Sequence, residues 1–77
     1  MTLAEALARA EGVLDGMYAV GIANYKKLMR HHGASERQIE EAVAQYKREL
    51  AADKRQKMAA LRVAMIAETN AVSVALH

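Results

Sequence analysis

His31–Ser35 reads HHGAS, the one stretch that interrupts an otherwise continuous helical pattern. Gly33 is free to take the left-handed conformation that closes a helix, and Ser35 is a favoured cap for the next one. Ser35–Gln38 reads S-x-x-Q, a capping box. A loop this short returns the second helix antiparallel to the first. The expected fold is therefore all-α, a two-helix antiparallel hairpin with helices at about 2–32 and 35–68 or beyond. The turn occupies 31–35, and the whole of 1–77 forms one domain.

Working outward, composition supports helix on both sides. The chain has 77 residues, with no Pro, Cys, Phe or Trp, and Ala is its commonest residue. Ala is the best helix former, and no Pro stands in the way. The lack of Cys excludes a disulfide framework and a thiolate metal site. MTLAEALARAEG at the start carries Glu5 and Glu11 and has no apolar core of the signal-peptide kind. The uncharged run Gly16–Tyr25 is far short of the ~20 residues that span a bilayer. An intracellular address, cytoplasmic or within an intracellularly assembled complex, is the expectation. A net charge of +2 and a pI near 9.2 say little about partners.

In the first arm, Thr2–Glu5 is a second capping box. Leu3, Leu7, Ala10, Leu14, Met17, Gly21, Asn24 and Leu28 recur in alternating steps of four and three. They read as a coiled-coil seam. Tyr18, Ile22, Tyr25 and Met29 form a second apolar stripe beside it, and Ala4, Ala8, Gly12 and Gly16 a ladder of small residues. In the second arm the seam reads Ile39, Val43, Tyr46, Leu50, Leu61, Met65, Val72 and Leu76, with a polar gap at Asp53–Lys57. That gap is either a local change of supercoil or a solvated middle. Thr69-Asn70 is the expected fray point.

Folding back about Gly33 and Ala34 sets residue i near residue 67 − i. Leu28 then meets Ile39, Asn24 meets Val43, Gly21 meets Tyr46 and Met17 meets Leu50. The charges, not used to choose this register, mostly meet opposite signs. Lys26, Lys27 and Arg30 fall opposite Glu41, Glu40 and Arg37, with Glu36 adjacent; Glu5 falls opposite Arg62, Glu11 between Arg55 and Lys57, and Asp15 opposite Ala52, one step from Asp53 and two from Lys54. Thr2 falls near Met65, so 66–77 overhangs as a C-terminal segment.

Two apolar surfaces are left over in this reading. Tyr18, Ile22, Tyr25 and Met29, with Ile66, Val72 and Leu76 of the overhang, are the expected partner-binding residues. Two helices alone seldom bury enough to be stable, so oligomerisation or a protein partner is expected to complete the fold.

Other chemistry is weaker. His31 and His32 point about 100° apart on a helix, which does not suit one metal ion. Ser35 is accounted for as a cap, and no third group holds a nearby base as nucleophilic catalysis needs. No catalytic residue, metal or cofactor is expected. Arg48, Arg55 and Arg62, seven apart, form a basic stripe able to follow phosphates, and nucleic acid is the alternative partner. Arg62–Asn70, RVAMIAETN, is similar to the R-x-x-x-I-A-x-T-E segment of head morphogenesis proteins of Mu-like phages, with Asn70 in place of Glu. The likeness agrees in kind with a small chain ordered inside a larger assembly, a virion being one. The functional expectation is a non-catalytic helical interaction or assembly module. It would self-associate or dock on a larger protein, a small protein inhibitor being the same physics with another partner.

Overall fold

The computed structural model describes the backbone of residues 1–75 and the side chains of residues 1–70. It contains two helices, α1 at Leu3–His31 and α2 at Glu36–Ala75, folded back on each other as an antiparallel hairpin. Thr2 caps α1, its hydroxyl accepting from the Glu5 amide at 3.1 Å. At the other end Gly33 takes φ +83. Its amide donates to the Arg30 carbonyl and that of Ala34 to the Met29 carbonyl, both at 3.0 Å. These two bonds make a complete Schellman closure, with half-buried Ala34 and Met29 as its usual apolar companions. α2 opens on a reciprocal capping box. The Ser35 hydroxyl accepts from the Gln38 amide at 3.2 Å, and the Gln38 side-chain carbonyl accepts from the Ser35 amide at 2.9 Å.

The register follows from this turn. Gly21 lies against Tyr46, where a Cβ on Gly21 would come within 3.2 Å of the Tyr46 hydroxyl. Arg30 pairs with Glu36 at 3.1 Å, and Leu3 shares a surface groove with Met65. All three fit residue i beside 67 − i. α2 runs helical through Thr69 and Asn70, where Thr69 donates to the Met65 carbonyl at 2.9 Å, so no fraying occurs at the expected point. It continues beyond the residues that meet the start of α1. Of the expected overhang, the side chain of Val72 and all of Leu76 lie outside the described residues.

The seam itself differs from the heptad reading. On α1 the larger apolar residues that are partly buried are Leu7, Leu14, Tyr18, Ile22, Tyr25 and Met29, with Ala6, Ala10, Gly21 and Lys26 beside them, while Leu3, Met17, Asn24 and Leu28 of the heptad row are exposed. In effect the stripe read as left over is the seam of the loop-proximal half, and part of the supposed seam faces solvent. A straight α-helix drifts about 20° per heptad. From Leu3 to Leu28 a heptad row therefore turns roughly 70° away from a partner that it begins by facing. The residues that stay inward repeat every eleven instead. Leu7, Tyr18 and Met29 do so on α1, and Ile39, Leu50, Leu61 with Val43, Lys54, Met65 on α2. Eleven residues in three turns is 3.67 per turn, close to an unstrained helix, so neither helix has to supercoil to keep its face inward. The gap between Leu50 and Leu61 is one such repeat.

Several charge pairings shift as well. Among the described residues, Glu11 goes to Lys54 rather than to Arg55 or Lys57, Glu41 pairs with Arg37 on its own helix, and Glu5 forms no ion pair with Arg62. Long side chains select the nearest partner in reach, which a one-dimensional register does not resolve.

Gly33→Ala is expected to lower stability by about 1–2 kcal/mol, since an L side chain is strained at that φ. Urea unfolding at fixed protein concentration checks this, and an unchanged midpoint would show that the closure does not set the turn.

Candidate functional site

Two features stand out from the hairpin, one polar and one apolar. The polar one lies midway along it, where the α2 seam passes through Asp53 and Lys54. Lys54 reaches across to two acids of α1, its Nζ 2.9 Å from Glu11 and 2.8 Å from Asp15. These hydrogen bonds, that to Asp15 foremost, raise its pKa to about 12. The Tyr18 hydroxyl donates to Asp53 Oδ2 at 2.6 Å, and Lys57 Nζ lies 2.9 Å from the same oxygen. The bond from Tyr18, then that from Lys57, holds the Asp53 carboxyl below its usual range. The same bond raises the Tyr18 phenol, and Asp53 raises Lys57. Each charge in this clasp is answered by a neighbour. It ties α1 to α2 in one register.

The apolar feature is the outer side of α1. Val13 is 63% exposed, Met17 63%, Val20 61% and Leu28 55%. With Asn24 they follow a helical row of three- and four-residue steps, beside Gly16, above which lies only open space. Shallow grooves along this row are lined by α1 alone, one by Val13, Gly16, Met17 and Val20, the next by Asn24, Lys27, Leu28 and His31. Against this exposure, the buried side chains among the described residues are Ile39 at 2% and Val43 at 5%.

The residues expected to bind a partner are therefore placed differently from one another. Tyr18, Ile22, Tyr25 and Met29 are half-buried, with the Tyr25 ring 5.1 Å from that of Tyr46 at a 45° tilt. Ile66 is exposed on α2. Arg48, Arg55 and Arg62 are all exposed, and among the described residues none of them joins an ion pair. Arg48 instead donates twice to the Gln45 side chain. His31 and His32 meet edge to face, and no three His, Asp or Glu side chains gather as a metal set among the described residues. Nor, among them, is any helix long and apolar enough to cross a membrane. The sequence reading missed Val13 and Val20, which fall outside its heptad row. The eleven-residue repeat was the signal that would have exposed them.

Comparison with known proteins adds no name: no family model matches the chain, and no curated protein or solved structure is significantly similar to it.

The clasp makes stability depend on pH at both extremes. Asp53, depressed in the fold, stabilises above its unfolded value of about 3.9, and this contribution is lost as pH falls through the lower folded value. Lys54, raised in the fold, stabilises fully below about 10.4, and this is lost as pH rises through about 12. The thermal midpoint of Asp53→Asn is expected to fall less steeply in acid than that of the parent chain. Superimposable profiles would mean that the carboxylate contributes nothing to the fold.

Proposed function

We propose that this chain is a non-catalytic helical interaction module that self-associates or docks on a larger protein assembly, with the outer face of α1 as its contact surface. The contrast between its small interior and its large exposed apolar side chains carries this reading. Ile39 and Val43 are the buried core among the described residues, while Val13, Met17, Val20 and Leu28 each stand more than half in solvent. A two-helix chain of this length has too little buried apolar surface to offset its chain entropy alone. Contiguous exposed apolar residues mark surfaces that another molecule covers. Val63 and Ile66 are further exposed apolar positions, on α2. Tyr18, Ile22, Tyr25 and Met29 then serve the surface indirectly, by holding α1 to α2. The non-catalytic part of the reading is supported by the clasp, whose ionisable groups are bonded to one another across the hairpin.

A module of this kind folds as it binds. The unfolding midpoint of the purified chain is expected to rise between ~1 µM and ~100 µM, or on addition of its partner, by mass action. Val20→Glu, at an exposed position outside the seam, abolishes that rise. A sharp melt of a monomer, independent of concentration, would remove the basis of the proposal.

Arg48, Arg55 and Arg62 favour a second reading, as a nucleic-acid binder, because they remain exposed and seven residues apart along one helix. Three phosphate contacts would give a slope of about −2.7 in log affinity against log salt. A mobility assay at two salt concentrations reads it, and the triple Arg→Gln variant should flatten it.

A further inference from the structure

We infer that the outer side of α2 is a docking face for double-stranded nucleic acid, held through its phosphates by Arg48, Arg55 and Arg62. This rests on the nucleic-acid reading above and adds the form of the nucleic acid and the way it is gripped. The face lies on a different helix from the apolar row of α1, so neither surface depends on the other.

Charge is the first support. Over 48–62 the exposed residues are three arginines, four alanines, Glu49, Gln56 and Lys57. Lys57 is taken by Asp53, and Asp53 itself is turned to Tyr18. The arginines meet no acid, since among the described residues none of them joins an ion pair. Arg48 donates to the neutral Gln45 side chain at 3.2 Å and 2.6 Å. Gln45 in turn donates to Glu49 at 3.3 Å, so Glu49 orients Arg48 through an amide rather than pairing with it. Steps of seven residues keep the three guanidinium groups within about 40° of one another around the helix. They form one cationic row about 21 Å long.

The other side chains along the row choose between anionic partners. No apolar side chain larger than Ala is exposed between Arg48 and Arg62. A helix that lies in a membrane surface enters it with large apolar residues, and a protein interface is built around large anchors. This row carries neither. A single strand binds largely by stacking its bases on aromatic rings. The chain has no Phe or Trp, and Tyr18, Tyr25 and Tyr46 are half-buried in the seam. Duplex phosphates need positive charge at a spacing that a helix can bridge. The row is longer than the ~12 Å width of the major groove, so a helix laid across that groove sets arginines against both strands. Ala51, Ala52 and Ala59 keep the surface between the arginines low, and the helix backbone can come close. Alanine makes no hydrogen bond to a base edge, so the contacts position the helix without reading sequence.

Fluorescence anisotropy of the full chain with a DNA duplex, one of its strands alone and a duplex of unrelated sequence tests this. The duplex is expected to bind on the order of tenfold more tightly than the strand, which finds no ring to stack on. The unrelated duplex binds about equally. Raising salt from ~50 to ~200 mM weakens duplex binding about fortyfold, and Arg55→Gln cuts that loss to about twelvefold. Gln suits a helix nearly as well as Arg, so the circular dichroism of the variant matches the parent, and Arg55→Lys restores the salt dependence. A strand bound as tightly as the duplex, or strong preference for one duplex sequence, overturns this inference and leaves the nucleic-acid reading intact. Absence of binding to every form, or binding that Arg55→Gln leaves unchanged, overturns both. Binding to vesicles of anionic phospholipid with none to the duplex assigns the row to a membrane surface and likewise overturns both.

Discussion

The five-residue turn is the constraint from which the rest of the hairpin follows. Gly33 at positive φ lets the last carbonyls of α1 find the amides of Gly33 and Ala34, and the reciprocal bonds of Ser35 and Gln38 start α2 at once. Helix closure and helix start share no residue and leave no slack between them. The register is therefore set locally, by the turn's own bonds. Local closure of this kind carries a small loop entropy, so the pairing of Tyr25 with Tyr46 and of Gly21 with Tyr46 needs no long search.

This explains which parts of the fold were legible in the sequence. The turn, both capping boxes and the pairing rule about Gly33 depend on residues within a few positions of one another, and these were readable. Which face of α1 turns inward depends instead on a difference between 3.5 and 3.67 residues per turn, summed over more than twenty residues. Leu7 and Leu14 satisfy both periods, so the start of the helix does not distinguish them. Tyr18, Ile22 and Met29 separate them, and there the heptad row loses the partner. Tyr18, Ile22, Tyr25 and Met29 were assigned to the contact surface because another row had been assigned to the core, and Val13 and Val20, exposed on the outer side of α1, were not considered for the same reason. The assignment of Lys54 to Glu11 and Asp15 was beyond sequence for a different cause. Several cations lie within reach of those acids, and only side-chain geometry selects one.

The clasp at Lys54 and Asp53 sits where the apolar rhythm of α2 is weakest. A seam repeating Ile39, Leu50 and Leu61 every eleven residues could slide by one repeat and still meet apolar side chains. Lys54 between two acids, and Asp53 beneath Tyr18, admit no such slip without leaving charges unpaired. Exposed ion pairs add little to stability, so their value here is in excluding the shifted alternatives. Polar residues in the seam thus do in the middle of the hairpin what the turn does at its end.

Once the clasp and the turn have fixed α1 against α2, the orientation of everything else on α1 is fixed with them. The helix has apolar rows on two sides, and one is turned to α2. A helix on the edge of a complete bundle needs only one such row, and a helix apolar on two sides belongs between two neighbours. The hairpin supplies one neighbour. The second row, Val13 to Leu28, is held rigidly in place by contacts that it does not itself make. Such preorganisation lowers the entropy lost when a second surface docks. On the proposed reading, the small core and the exposed row are consequences of one design, in which α1 is shared between the interior of its own hairpin and a contact surface.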